Sequence, residues 1–158
     1  MLLLGLKGCV NPFAPALDEN LNSGTSLIMD QSKVEGVFQN MQYAYTMKDT
    51  TIYGQLLSPD FTFTYRDYDK GFDVTWGRDD EMRATYGLFQ NSQRLDLIWN
   101  NILLISGDST SIVRSFNLTI TFNPTDIQRA DGKVSLILKK NTSTKAWQIQ
   151  RWVDESSF

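Results

Sequence analysis

Between residues 34 and 67 the chain changes its hydrophobic period, and the order of those changes limits the folds open to it. Val34, Val37, Phe38, Met41, Ala44 and Tyr45 recur at the i, i+3, i+4, i+7 spacing of a helix with one buried face. Asp30 or Ser32 is placed to cap it. Thr50 or Thr51 is placed to cap a second, short helix carrying Ile52, Leu56 and Leu57, which Pro59 ends. Phe61-Thr62-Phe63-Thr64-Tyr65 then alternates as a strand does, aromatics on one side and threonines on the other.

The remainder extends that order. After a loop containing Gly71 and Gly77, the acidic run Asp79-Asp80-Glu81 opens a third helix, where negative charge suits the positive end of the helix dipole. Met82, Tyr86 and Phe89 are its expected inward residues. From Leu95 the pattern is a meander of long strands, with turns at Ser106-Gly107-Asp108, near Asp131-Gly132 and at Asn141-Thr142-Ser143-Thr144. Helix, helix, strand, helix and four strands predict an α+β domain in which an antiparallel sheet curls around the first helix.

Composition excludes more than it assigns. The 158 residues suit one domain with a tail, and 15 Lys and Arg against 18 Asp and Glu leave a net charge of -3, no footprint for nucleic acid. Histidine is absent, which removes serine-histidine and cysteine-histidine catalysis and the commonest metal ligand. Cys9 is the only cysteine, so neither an intrachain disulfide nor a thiolate metal cluster is available. Phosphate-loop, dinucleotide and zinc motifs are missing, and no cofactor is expected. Any chemistry falls to carboxylates, tyrosines, lysines and arginines.

Five segments carry a family resemblance: Tyr45-Thr46-Met47-Lys48-Asp49, Leu56-Leu57-Ser58-Pro59-Asp60-Phe61, Gly77-Arg78, Ile105-Ser106-Gly107-Asp108 and Trp147-Gln148-Ile149-Gln150-Arg151-Trp152. In these and in element order, residues 30 to 155 resemble the NTF2-like (SnoaL-like, cystatin-like) superfamily of nuclear transport factor 2, SnoaL-type cyclases and ketosteroid isomerase. The resemblance implies a cone of three N-terminal helices packed on a strongly curved, mostly antiparallel sheet. It implies no default activity, because the superfamily includes enzymes, binding modules, dimerisation domains and many bacterial lipoproteins. The isomerase triad of tyrosine, aspartate base and protonated aspartic acid does not carry over: alignment on Asp49 puts Met41 at the tyrosine and Tyr65 at the base. A shifted alignment offers Asp67 as base and Tyr45 as donor.

The N-terminus, Met1-Leu2-Leu3-Leu4-Gly5-Leu6-Lys7-Gly8-Cys9, resembles the end of a bacterial lipoprotein signal. The resemblance implies lipid attachment at Cys9 and a place in the cell envelope, on its periplasmic or surface side. Lys7 and the missing basic n-region depart from that pattern, and a frayed apolar terminus is the alternative. Residues 10–29, with few large apolar side chains, read as a tether. Residues 30–158 form the domain.

Candidate site residues come from strand faces. One face of the strand around Phe116 reads Ile112, Arg114, Phe116, Leu118, Ile120, Phe122, so Arg114 is the lone charge on an apolar stripe. A core-facing guanidinium needs an acceptor, and Asp67 is the expected one. The last strand repeats the pattern with Trp147, Ile149, Arg151 and Val153, and the first places Tyr65 and Asp67 behind Phe61 and Phe63. With Trp76 and Trp99 at the mouth, these residues predict a cavity with an apolar wall and a few orienting polar groups. The alternative has arginine stems lying on the core and their heads in solvent at the rim, or a bulge that exchanges the two faces. Asp67-Tyr68-Asp69-Lys70-Gly71-Phe72-Asp73 fails as a calcium loop: Phe72 stands where glycine is required and Arg78 where the bidentate glutamate belongs.

The leading expectation is therefore a noncatalytic domain, joined to a membrane only through its lipid anchor, that binds a small apolar or weakly anionic molecule or a protein partner through Tyr65, Asp67, Trp76, Trp99, Arg114 and Arg151. The alternatives are an isomerase, dehydratase or cyclase using Asp67 and Tyr65 for proton transfer, and a homodimeric assembly module.

Overall fold

The computed structural model describes residues 28–157. Cys9 and nearly all of the expected tether lie outside the described residues. The end of that tether is not free: Met29 exchanges hydrogen bonds with the buried Asn40 side chain, N–H to Oδ1 at 2.6 Å and Nδ2 to O at 2.9 Å.

Helix α1 (Val34–Met47) buries Val37, Phe38, Met41 and Ala44 as its periodicity requires. Its cap differs from the expectation. Lys33 occupies the N-cap without a side-chain bond, and Asp30 instead accepts the Ser32 N–H in its own turn. Helix α2 (Thr50–Leu56) is capped by Asp49 rather than by a threonine; its carboxylate accepts from the N–H groups of Thr51 and Ile52, both at 2.9 Å. Strand β1 (Leu57–Asp67) begins at once, so Pro59 lies in the strand, where the register against its neighbour shifts and no ladder donor is missed.

The expected loop after β1 holds a second strand. The chain turns at Lys70-Gly71, with Gly71 at φ +76°, and β2 (Phe72–Gly77) pairs antiparallel with β1. Helix α3 (Arg78–Asn91) follows, with Phe89 buried and Met82 against the core as expected, but with Tyr86 turned out. Glu81, Thr85 and Phe89 are buried, four residues apart, whereas Tyr86 is 56% exposed. The rest is β3 (Arg94–Ile105), β4 (Ser111–Asn123), β5 (Asp126–Lys140) and β6 (Trp147–Ser157). The turn between β4 and β5 is at Pro124-Thr125, stapled by the Asn123 carboxamide, and Asp131-Gly132 lies inside β5 instead.

The sheet is open, six-stranded and curved, in the order β2-β1-β6-β5-β4-β3, with β1 parallel to β6 and every other pair antiparallel. Register shifts interrupt all but the β1–β2 pair, and such bulges bend and twist a sheet. Helices α1 and α2 fill one end of the concave side through Phe38, Met41, Tyr53 and Leu56 against Ile112, Leu136 and Ile149. The other end, beneath α3, is only partly filled.

Candidate functional site

A cavity of about 820 Å³ lies between α3 and the concave face of the sheet. Its inner wall is apolar, with Leu97, Phe116, Leu118 and Ile120 from β3 and β4. The exposed Tyr68 and Asp69 of the β1–β2 turn border it at the opposite end, so it opens there. Its aromatic side is one cluster: Phe63 stacks on Trp76 at 4.9 Å, Tyr65 is 5.4 Å from Trp76, and Trp152 is 5.8 Å from Phe63.

Two acidic side chains within the cavity differ in kind, Glu81 buried and Asp154 half-buried. Glu81 is fully partnered: Oε1 accepts from the Tyr53 hydroxyl at 2.5 Å and the Thr85 hydroxyl at 3.2 Å, and Oε2 from the Trp76 indole at 2.7 Å. Burial, and then the neighbouring Tyr45 and Glu81, push the Tyr53 hydroxyl far above the usual phenol range. Burial likewise raises Tyr45, which lies edge-on to Tyr53 at 5.9 Å. Among the described residues, Asp154 on β6 accepts only from its neighbour Ser156, Oδ1 from N–H and Oδ2 from the hydroxyl, both at 3.0 Å. Burial is the main cause that raises its carboxyl above the ordinary value, and the charges of Glu81 and Glu155 act in the same direction. Among the described residues, Trp152 Nε1 is a buried donor with no partner.

Of the residues singled out from the sequence, Tyr65, Asp67, Trp76 and Trp99 line this cavity. Asp67 is held by the hairpin turn: it accepts the Lys70 N–H, and the Lys70 ammonium 2.9 Å away holds its carboxyl below the usual range. That is the opposite of what a proton acceptor at neutral pH needs. The expected Arg114–Asp67 pair is not formed. Arg114 does point to the concave side, but toward α1, where its guanidinium lies 4.5 Å from the Phe38 ring centroid and pairs with Glu35 at 2.9 Å. It is no part of the cavity wall, and neither is Arg151.

A bulge explains Arg151. Leu138 pairs with Ile149 but Ile137 with Arg151, so Gln150 is an extra residue in β6. One inserted residue exchanges the faces of everything beyond it. Ile149 is buried, Arg151 turns out, and Trp152, Asp154 and Ser156 turn into the cavity. Tyr53, Glu81, Trp152 and Asp154 were therefore the residues that sequence reasoning missed. In sequence Glu81 reads as one of three acidic residues suited to the helix dipole; the only signal of burial is its i, i+4, i+8 alignment with Thr85 and Phe89.

No family model matches the sequence, and no curated protein does. Solved structures match over most of the chain. A protein assigned as a scytalone dehydratase from Novosphingobium aromaticivorans superposes with a TM-score of 0.66 at 15% identity, over 79% of this chain and 82% of that one. A protein assigned as a SnoaL-like polyketide cyclase from Jannaschia sp. CCS1 gives 0.58 at 15% identity, over 84% and 89%. An NTF2-like protein of unknown function from Exiguobacterium sp. gives 0.54 at 11%, over 77% and 98%. The fold is NTF2-like. At such identities the likeness is one of architecture, so the activity of this NTF2-like domain has to be argued from its own cavity.

Proposed function

We propose that this domain binds a small, largely apolar molecule in the cone beneath α3. The observation that carries the reading is the cavity itself: about 820 Å³, walled mainly by aromatic and aliphatic side chains, with carboxylates, Arg66, Thr85, Gln128 and Ser156 set among them. That is the composition and size range of small-molecule sites. Glu81 holds Tyr53, Trp76 and Thr85 in place and so shapes the wall from behind. Asp154 is left with acceptor capacity for a ligand. Tethering to the envelope through Cys9 belongs to the same proposal, and intact-mass analysis of the membrane-derived protein tests it: an unmodified Cys9 removes the anchor.

A second reading, proton-transfer catalysis of the isomerase, dehydratase or cyclase type, is favoured by one observation, the raised carboxyl of Asp154 inside a cavity. It moves the proposed base from Asp67 to Asp154, with the Tyr45 hydroxyl as a nearby phenol. Native mass spectrometry of the full chain recovered gently from its own host tests the binding reading. The expected result is a discrete adduct that is lost on denaturation. A bare chain that also takes up none of the aromatic probes described below contradicts it.

A further inference from the structure

The cavity wall also selects the charge of its occupant, an inference that rests on the binding reading above. Four carboxylates line it, Asp67, Asp69, Glu81 and Asp154, against a single guanidinium, Arg66. Arg66 is already paired with Asp73 at 3.1 Å, as Asp67 is with Lys70 at 2.9 Å, so among the described residues the charge left without an ion pair in this wall is negative, on Asp69, Glu81 and Asp154. The aromatic side adds the negative faces of Phe63, Tyr65, Trp76 and Trp152, which attract cations when desolvated. A weakly anionic occupant, one of the expectations from sequence, meets repulsion from both kinds of wall.

Glu81 and Asp154 show which part of the wall is spare. A carboxylate that serves only the fold is expected to be fully bonded, as Glu81 is by groups from α2, β2 and α3. Among the described residues, Asp154 accepts only from one two positions along its own strand. The Trp152 indole N–H also has no partner among the described residues, but its nitrogen is shielded from solvent, so Trp152 serves an occupant through its ring. What is left for an occupant is the acceptor capacity of Asp154, set beside the aromatic wall.

We propose that the cavity takes a cation, a protonated amine or quaternary ammonium carried on an apolar or aromatic body, with Asp154 as its counter-ion and the Phe63, Tyr65, Trp76 and Trp152 cluster as its aromatic wall. The amine donates to Asp154 in the polar region while the body lies against Leu97, Phe116 and Ile120.

Three probes of one shape separate charge from shape: 4-phenylbutylamine, 4-phenylbutan-1-ol and 4-phenylbutyrate, titrated calorimetrically into the full chain at neutral pH and moderate salt. The amine is expected to bind at least about tenfold more tightly than the alcohol, and the carboxylate most weakly. Asp154→Asn is expected to bring the amine down to the alcohol's affinity while the alcohol changes less than about twofold. Glu155→Gln, which removes an exposed neighbouring charge paired with Lys133, keeps the preference. Equal affinities for amine and alcohol, or a preference that survives in Asp154→Asn, overturn the cation assignment and leave the binding reading standing. Saturable binding of none of the three overturns both. The wild-type ranking decides the charge question even where Asp154→Asn fails to fold.

Discussion

Tyr53→Phe isolates the contact that braces the cavity wall. Tyr53 is fully buried, and its ring packs edge-on against Tyr45 at 5.9 Å and Phe89 at 6.2 Å. Phenylalanine keeps that packing and deletes only the hydroxyl. The hydroxyl donates to Glu81 Oε1 at 2.5 Å, and Glu81 is itself 6% exposed, so water cannot easily replace the donor. Hydrogen bonds to charged groups contribute about 1.5–3 kcal/mol, and leaving a buried acceptor short of a partner places the cost toward the top of that range. Thr85 remains on Oε1, but at 3.2 Å it is the weaker donor. We therefore expect a loss of about 2–3 kcal/mol in urea unfolding followed by tryptophan fluorescence. In a Glu81→Gln background the same substitution should cost only about 1 kcal/mol, because the acceptor is then neutral. A loss below about 0.5 kcal/mol in the wild-type background, or equal losses in both, refutes the reasoning.

Other perturbations separate structural residues from site residues. Arg114→Ala should destabilise by about 1–2 kcal/mol through the lost stacking on Phe38, with little from the half-exposed Glu35 pair, and leave probe affinity unchanged in calorimetry; lost uptake returns Arg114 to the site. Gly132→Ala places a Cβ 2.5 Å from Ser156 Cα, so β5 and β6 must separate; about 1–3 kcal/mol of stability and the amine preference should fall together in the same preparation. Asp154 has a folded pKa above its unfolded value of 3.8, so the folded state holds the proton more tightly and stability falls as pH rises through the interval between the two. Asp154→Asn should therefore gain on the wild type as pH goes from acidic to neutral, measured by urea midpoints across that range; a variant-minus-wild-type difference that falls as pH rises contradicts the direction of the shift.

How far the sequence was legible depends on whether one element or several decide a residue's place. The α1 stripe of Val37, Phe38, Met41 and Ala44 belongs to one helix facing one sheet, and period alone located it. The four long strands were legible as elements for the same reason, but the turn between β4 and β5, expected near Asp131-Gly132, falls at Pro124-Thr125. Strand β2 was hidden because a short edge strand containing Asp73 and flanked by glycines has the composition of a loop. Asp49 displaced the threonines as cap because its carboxylate reaches two N–H groups at once. The site suffered most: the Gln150 bulge depends on how β5 and β6 pair, which no pattern within β6 reveals, and it exchanges Arg151 for Trp152 and Asp154 in the wall. Arg114 was correctly placed on the concave side, yet its partner came from α1, since distance along the concave side, not only its face, decides who meets whom.

Tryptophan gives the most direct test that the cone is a binding site. Of the chain's four tryptophans, Trp76, Trp99 and Trp152 line the cavity, whereas Trp147 packs elsewhere under the Lys140 ammonium at 4.9 Å. Fluorine NMR of the 5-fluorotryptophan-labelled full chain, titrated with whichever of the three phenylbutyl probes binds most tightly, reads all of them at once. The account predicts saturable shifts at Trp76, Trp99 and Trp152 with one common dissociation constant, and a stationary Trp147. Shifts confined to Trp147, or none at saturating probe, contradict it.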